Sequence, residues 1–231
     1  MRKFFLAGVI ALGAVIALSV VLLRPLPGPA SQADAATVDP ILFVHGYLDP
    51  GIMLDTMRSR FEADGWPSDR LYEMNYNTLQ SNKTTANLIK DIVSEIRSKT
   101  GAAKVDIITH SMGGLSSRYY LKNLGGTSYV DDWVSLGGPN HGTTTALLCL
   151  LLGPSCWEML PGSSFLKQLN SGDETPGAVN YGTWWSPCDE FINPDESVVL
   201  QGATNTKTAC IGHLTLTQDT TVYTQVREFV R

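Results

Sequence analysis

The chain has 231 residues, of which 43% are hydrophobic and 17% are charged, and its formal net charge is -5. This length fits one ordinary domain, and the hydrophobic content excludes wholesale disorder. Lys and Arg are outnumbered by Asp and Glu and form no basic run, so nucleic acid is not an expected partner.

The N-terminus has the pattern of an export signal. The basic pair Arg2-Lys3 precedes an unbroken apolar run over residues 4–23, and Ala33-Asp34-Ala35 is a small-x-small cleavage pattern. We predict a signal peptide over residues 1–35 and one secreted domain over residues 36–231. The alternative is an uncleaved membrane anchor, since the apolar run is long enough to span a bilayer.

From about residue 40 onwards, short apolar strands alternate with amphipathic helices. Repeated alternation of this kind requires right-handed crossovers, so we predict an α/β fold with a mostly parallel sheet and helices on both faces. In chain order the predicted elements are strand 41–44, helix 51–63, strand 71–74, helix 82–99, strand 105–108, helix 111–124, strand 129–136, strand 179–185, strand 197–200, strand 208–211 and helix 219–230.

The segment from about residue 139 to 171 interrupts this alternation and is predicted to be an insertion over one end of the sheet. Its run from Ala146 to Leu152 is strongly apolar, and Trp157 and Leu160 follow it. The functional interpretation is a rim or small flap that contacts an acyl chain or a lipid surface. The structural interpretation is a short core helix, and an apolar run alone does not separate the two.

All four cysteines follow the export signal, and an even count in a secreted chain indicates two disulfides. Three pairings are open, and we predict the nearest-neighbour one, Cys149–Cys156 and Cys188–Cys210. A zinc site is the alternative, although the usual Cys-x-x-Cys spacing is absent.

The segment Thr109-His110-Ser111-Met112-Gly113-Gly114 follows a predicted strand and opens a predicted helix, which is the setting of a nucleophile elbow. Such a tight turn exposes the serine hydroxyl, and the helix N-terminus directs N–H groups towards a developing oxyanion. We therefore predict that Ser111 is a nucleophile, with Thr109 in place of the usual first glycine. The alternative is a simple helix cap.

A serine hydroxyl needs a base to take its proton. The order expected with this elbow is serine, acid, histidine, so only His141 and His213 can supply the base. We predict His213, which lies between the last predicted strand and the last helix. His141 comes before any plausible acid and is predicted to be a loop residue at the rim of the site, and His110 is predicted to make a structural hydrogen bond.

The acid must lie between Ser111 and His213, near the end of a strand. We predict Asp189, because it follows strand 179–185 and adjoins Cys188, whose bridge to Cys210 would tie the acid loop to the base loop. Asp195 is the next alternative. The other carboxylates considered are Asp131, Asp132, Asp173 and Glu190.

An oxyanion hole needs two N–H donors. One is expected from Met112, the residue after the predicted nucleophile. The other is expected from Tyr47, in the loop after the first strand, where Gly46 would let the backbone approach the substrate.

Three blocks of sequence resemble the small secreted bacterial lipases of the α/β-hydrolase superfamily, both the minimal Bacillus type and the disulfide-containing actinomycete type (class 2 lipases). They are Phe43-Val44-His45-Gly46, the run from Lys104 to Gly114, and Ser135-Leu136-Gly137-Gly138-Pro139. The resemblance extends with gaps from about Pro40 to the C-terminus. It implies an α/β-hydrolase fold, a triad of Ser111, Asp189 and His213, and oxyanion-hole amides from Tyr47 and Met112.

The same resemblance implies a secreted serine hydrolase of carboxylic esters, with a triacylglycerol lipase as the leading form. The alternatives are a carboxylesterase, a polyester hydrolase, an acyltransferase and a non-catalytic surface-binding module. No cofactor and no metal are expected, because the mechanism needs none and no motif for one is present. The expected partner is an ester or lipid substrate, which a lipase would meet at a lipid–water interface, and the protein is expected to be a monomer.

Overall fold

A computed structural model describes residues 38–49 and 51–231, so the predicted signal peptide lies outside the described residues. The described part forms one open sheet of six parallel strands with helices on both faces. The predicted α/β fold class is therefore confirmed.

The elements are β1 (Ile41–Val44), α1 (Asp55–Ala63), β2 (Leu71–Met74), α2 (Asn82–Thr100), β3 (Val105–His110), α3 (Gly113–Asn123), β4 (Val130–Leu136), α4 (Pro154–Glu158), α5 (Ser164–Leu169), β5 (Asn180–Trp185), β6 (Thr204–Lys207) and α6 (Thr220–Phe229). The strands lie in the order β2-β1-β3-β4-β5-β6 across the sheet.

The core lies on both faces of the sheet because successive side chains of a strand point to opposite faces. In the fully buried strand β1, Ile41 and Phe43 pack with α1 and α6, whereas Leu42 and Val44 pack with α2 and α3. The carboxyl ends of the parallel strands share one edge, and the loops that follow β1, β3, β4 and β5 meet there. Ligands of open α/β sheets bind outside this edge.

Two predicted strands near the C-terminus are wrong. Residues 197–200 were expected to be extended, but a 3₁₀ helix covers Asp195–Val198, because Pro194 starts a turn in which the Ser197 N–H donates to the Pro194 carbonyl. The last strand is β6 rather than 208–211. It is an exposed edge strand without an apolar pattern, so hydrophobic periodicity did not mark it.

The cysteines pair as Cys149–Cys156 and Cys188–Cys210, with Cα–Cα distances of 5.7 and 5.0 Å. This is the nearest-neighbour pairing. All four sulfurs are used, so the alternative of a zinc site at these cysteines is wrong. Among the described residues, no helix is long and apolar enough to cross a membrane.

The insertion has one buried and one exposed side. Phe165 and Met159 pack in a third apolar cluster with Leu115, whereas Leu151 is fully exposed and Leu148 is 87% exposed. The insertion contains a 3₁₀ helix over Thr144–Cys149, followed by α4 and α5.

Helix α4 is held against the N-terminus of α2 by its last residue. The Glu158 carboxylate accepts hydrogen bonds from the Ser81 hydroxyl and from the backbone N–H of Asn82, at 2.5 and 2.6 Å. A carboxylate at this position binds amides that the helix leaves free and interacts favourably with the helix dipole. The buried Ser155 hydroxyl adds a 2.8 Å bond to the Thr78 carbonyl. This end of the insertion is therefore anchored to the main domain.

A buried carboxylate in β3 makes stability depend on pH. Asp106 is 2% exposed, and burial, reinforced by the negative charge of Asp132, raises its pKa well above the usual value. A carboxyl group with a raised pKa favours the folded state below its ordinary pKa, and this contribution is lost as pH rises through the raised value. We expect Asp106→Asn to have a higher free energy of unfolding than the wild type at pH 8, with a smaller gap at pH 4. Urea titration at both pH values would measure the difference in free energy of unfolding between the variant and the wild type. A difference that does not change with pH would contradict this expectation.

Candidate active site

Ser111 occupies the tight turn between β3 and α3. Its φ angle is 53°, in the left-handed region that non-glycine residues rarely adopt. The turn requires glycine at Gly113, because a Cβ there would lie 2.5 Å from the Val44 carbonyl oxygen. Thr109 fits at the position where glycine is usual because its hydroxyl donates a 2.8 Å hydrogen bond to the Val134 carbonyl. This strand–turn–helix geometry is that of a nucleophile elbow.

His213 and Asp189 form a buried pair at the same edge of the sheet. The Nδ1 atom of His213 lies 2.7 Å from Oδ2 of Asp189, and their side chains are 4% and 1% exposed. A carboxylate only accepts, so Nδ1 carries the proton and Nε2 of the neutral ring is left with a lone pair. The other oxygen of Asp189 accepts from the N–H groups of Phe191 and Ile192, each at 2.9 Å. Asp195, the alternative acid, instead begins a 3₁₀ helix.

The backbone of His213 is also held on both sides. Its N–H donates to Oε2 of Glu190 at 2.9 Å, and its carbonyl accepts from Nε2 of His110 at 3.2 Å. The bridge Cys188–Cys210 joins the two loops that carry Asp189 and His213. These contacts engage the backbone N–H, the carbonyl and Nδ1 of His213, and they do not engage its Nε2.

His110 is neutral in this setting. It is 2% exposed, and burial, followed by the proximity of His213, lowers its pKa well below the usual range. Its ring centroid lies 4.6 Å from that of His213. The hydrogen bond from His110 to the His213 carbonyl agrees with the structural role that we expected for His110.

Gly137 is a site residue that sequence reasoning did not single out. It follows β4 with a φ angle of 58°, and a Cβ at this position would lie 3.0 Å from Nδ1 of His213 and 3.1 Å from Oδ2 of Asp189. A side chain would therefore crowd the pair and strain the backbone. The available signal was a glycine placed directly after a buried strand.

The loop after β1 approaches the turn of Ser111 closely. A Cβ on Gly46 would lie 2.8 Å from Cβ of Ser111, so only glycine fits there. Tyr47 follows in this loop, and Met112 lies at the N-terminus of α3. Neither amide N–H of these two residues is hydrogen-bonded to a backbone carbonyl of the described residues. Of these two residues, Tyr47 lines the cavity described next.

A cavity of about 540 Å³ opens over these groups, and both Ser111 and His213 line it. Apolar side chains from the insertion and from the loops make up most of the wall. They include Met53, Ala146, Leu148, Leu152, Met159, Phe191 and Leu214. A largely apolar cavity with a few polar groups at its base is typical of a small-molecule site.

The other histidines lie apart from this arrangement. His141 is exposed, and its Nε2 lies 2.8 Å from Oε1 of Glu174. His45 is buried and stacks on Tyr76 with ring centroids 4.4 Å apart. Within the part of the chain that the structure describes, no three His, Cys, Asp or Glu side chains are grouped so that they could hold a metal ion.

Comparison with known proteins places the chain in a family. The family model for lipase (class 2) matches residues 38–226. Lipase B of Aspergillus fumigatus superposes with a TM-score of 0.68 at 18% identity, over 80% of this chain and 51% of that one, so the present chain spans about half its length. The mature lipase BlEst2 of Bacillus licheniformis superposes with a TM-score of 0.70 at 17% identity, over 90% of this chain and 96% of that one. A metagenomic carboxyl esterase superposes with a TM-score of 0.64 at 16% identity, over 84% of this chain and 69% of that one.

The structural matches have low sequence identity and show the fold, whereas the family model covers most of the chain. Together they confirm the resemblance that the sequence blocks indicated. The chain belongs to the lipase (class 2) family and is a serine ester hydrolase with the α/β-hydrolase fold.

Proposed function

We propose that the protein is a secreted triacylglycerol lipase with a catalytic triad of Ser111, His213 and Asp189. One observation carries this proposal: the buried His213–Asp189 pair and the left-handed turn of Ser111 open onto the same apolar cavity. The two disulfides support secretion, because disulfides persist in oxidising compartments.

In the proposed mechanism, the Ser111 hydroxyl attacks the ester carbonyl while Nε2 of His213 takes its proton. Asp189 stabilises the resulting imidazolium and keeps its ring in place. The amides of Tyr47 and Met112 donate hydrogen bonds to the tetrahedral oxyanion. His213 then protonates the leaving alcohol, and a water molecule activated by His213 releases the acid from the acyl-enzyme.

Exposed apolar side chains around the mouth of the cavity favour a lipid substrate over a soluble ester. We call the exposed residues of the insertion the apolar rim; they are Leu147, Leu148, Leu151, Leu152 and Trp157. Leu148 and Leu152 also line the cavity, so the rim is continuous with the site. Contiguous exposed apolar surface marks a site of interaction. The rim would therefore contact the lipid while an acyl chain enters the cavity.

The experiment that tests this function follows hydrolysis of a triacylglycerol through its solubility limit. We expect the wild-type rate to rise when emulsion droplets form. Leu147 and Leu151 are exposed and do not line the cavity, so their replacement by serine changes the rim and leaves the cavity wall intact. Binding of the double variant to emulsion should weaken about 100-fold or more, because burying each of the two leucines contributes about 1.5 kcal/mol or more. Hydrolysis of a short soluble ester should change much less.

Leu88→Ser provides the matched control, since Leu88 is an exposed leucine in α2 that does not line the cavity. This control should bind emulsion as the wild type does. A wild-type rate that saturates below the solubility limit and does not respond to droplets would contradict a lipase. That outcome would favour the second candidate, a carboxylesterase or polyester hydrolase that uses the same triad.

A further inference from the structure

A second carboxylate faces an imidazole beside the proposed triad. Oδ2 of Asp49 lies 4.0 Å from Nδ1 of His110, and the two side chains are 5% and 2% exposed. Neither atom has a hydrogen-bond partner among the described residues. Buried polar atoms are normally hydrogen-bonded, so two unpartnered atoms that face each other need an explanation.

The backbone next to Asp49 is strained. Leu48 adopts a φ angle of 52°, although it is not a glycine, and its side chain is 62% exposed, so packing of that side chain does not offset the strain. The loop is fixed by hydrogen bonds from the Leu48 N–H to the Thr78 hydroxyl and from the Gly51 N–H to Oδ1 of Asp49, at 3.2 and 2.8 Å. This conformation turns the carboxylate of Asp49 inwards, against His110.

His110 has one nitrogen free for Asp49. Its Nε2 lies 3.2 Å from the His213 carbonyl, which can only accept, so Nε2 carries a proton and donates. In the neutral ring, Nδ1 then has a lone pair, which faces an oxygen of Asp49. The 4.0 Å separation is too long for a direct hydrogen bond, and a water molecule that donates to both atoms would satisfy them. The bridged pair would then form a second carboxylate–imidazole unit, and the neighbouring titratable groups are His45, His213 and Tyr76.

We propose that Asp49 is a positioning residue of the active site and that it acts through His110. This inference rests on the proposed function. Asp49 lies two residues after Tyr47, the proposed oxyanion donor, and His110 directly precedes Ser111. The contact of His110 with the His213 carbonyl extends the unit to the proposed base. The hydrogen bond from His110 to the His213 carbonyl and the 4.0 Å approach of Asp49 to His110 thereby link the oxyanion loop, the nucleophile turn and the base loop.

Two substitutions at Asp49 distinguish its effect on His110 from its effect on the local turn, where Oδ1 accepts from the Gly51 N–H. In Asp49→Ser, the hydroxyl can still accept from the Gly51 N–H but is too short to reach His110. We expect kcat to fall about 10- to 100-fold with little change in KM, since loss of a whole oxyanion donor costs about 100- to 1000-fold and a displaced donor costs less. In Asp49→Asn, the amide can donate to Nδ1 of His110 and accept from Gly51, so kcat should stay within about threefold of the wild type.

The rates are compared per active site, counted by titration with a fluorophosphonate, so a partly misfolded sample does not alter the result. Asp91→Ser, an exposed position in α2, is the control and should behave as the wild type. A wild-type kcat in Asp49→Ser would overturn the proposal. Equal losses in Asp49→Ser and Asp49→Asn would also overturn it, because they would assign the effect to charge. Activity that survives in Ser111→Ala would instead contradict the proposed function, so the two failures are distinguishable.

Discussion

Replacing Ser111 with alanine is expected to lower kcat/KM for p-nitrophenyl butyrate by at least about 10⁴-fold, because removal of a serine nucleophile abolishes the acyl-enzyme route. The fold should be retained, since alanine keeps the Cβ of Ser111 in the same left-handed turn. Initial rates of the purified mature enzyme, corrected for spontaneous hydrolysis of the ester, measure the effect.

The matched control for this substitution is Ser59→Ala, an exposed serine in α1, which should leave the rate unchanged. Labelling by a fluorophosphonate, followed by peptide mass spectrometry, should place the adduct on Ser111 in the wild type and give none in Ser111→Ala. If Ser111→Ala keeps more than about a hundredth of the wild-type rate, another nucleophile performs the reaction.

The second large effect is expected from Asp189→Asn. The substitution keeps an oxygen for the N–H groups of Phe191 and Ile192 but replaces the acceptor of the His213 Nδ1 proton. An amide there favours the wrong tautomer of the histidine, so kcat should fall by about 10⁴-fold with a near-normal KM. Steady-state kinetics on the same ester separates the two parameters.

Asp195→Asn is the comparison variant for Asp189→Asn, because Asp195 is the alternative acid. It should remain within about twofold of the wild type, as expected for a surface residue that does not contact the base. The opposite result, a large loss in Asp195→Asn with an active Asp189→Asn, would reassign the acid despite the 2.7 Å contact between Asp189 and His213.

The sequence predicted the buried parts of the fold and not its polar edge. β1 is an apolar run between Pro40 and Gly46, and its predicted and observed bounds coincide. β6 has the sequence Thr-Asn-Thr-Lys and pairs only with β5 at the sheet edge, so its formation depends on a neighbour rather than on a pattern of its own. Tertiary pairing of this kind is invisible to local periodicity.

The candidate site likewise contains residues that the sequence identifies and residues that only the structure reveals. Ser111 could be found from a local motif, and His213 could be found from chain order. Glu190 was considered only as an acid, whereas the structure shows its carboxylate on the backbone N–H of His213. The role of Gly137 and the proposed role of Asp49 depend on loops distant in sequence, so the sequence marks Gly137 only as a glycine after a buried strand and does not mark Asp49.

The anchoring of α4 has a consequence for protein engineering. Glu158 belongs to the insertion, yet its carboxylate completes the first turn of α2 in the main domain. A chimera that exchanges the insertion for that of a relative would leave the Asn82 N–H without this acceptor, and the Ser81 hydroxyl would remain as the cap of α2, unless the graft carries an acidic residue at the position of Glu158. We therefore regard residues 144–152 as the exchangeable unit for altering substrate preference, with α4 kept as part of the scaffold and a cysteine kept at position 149 for the bridge to Cys156.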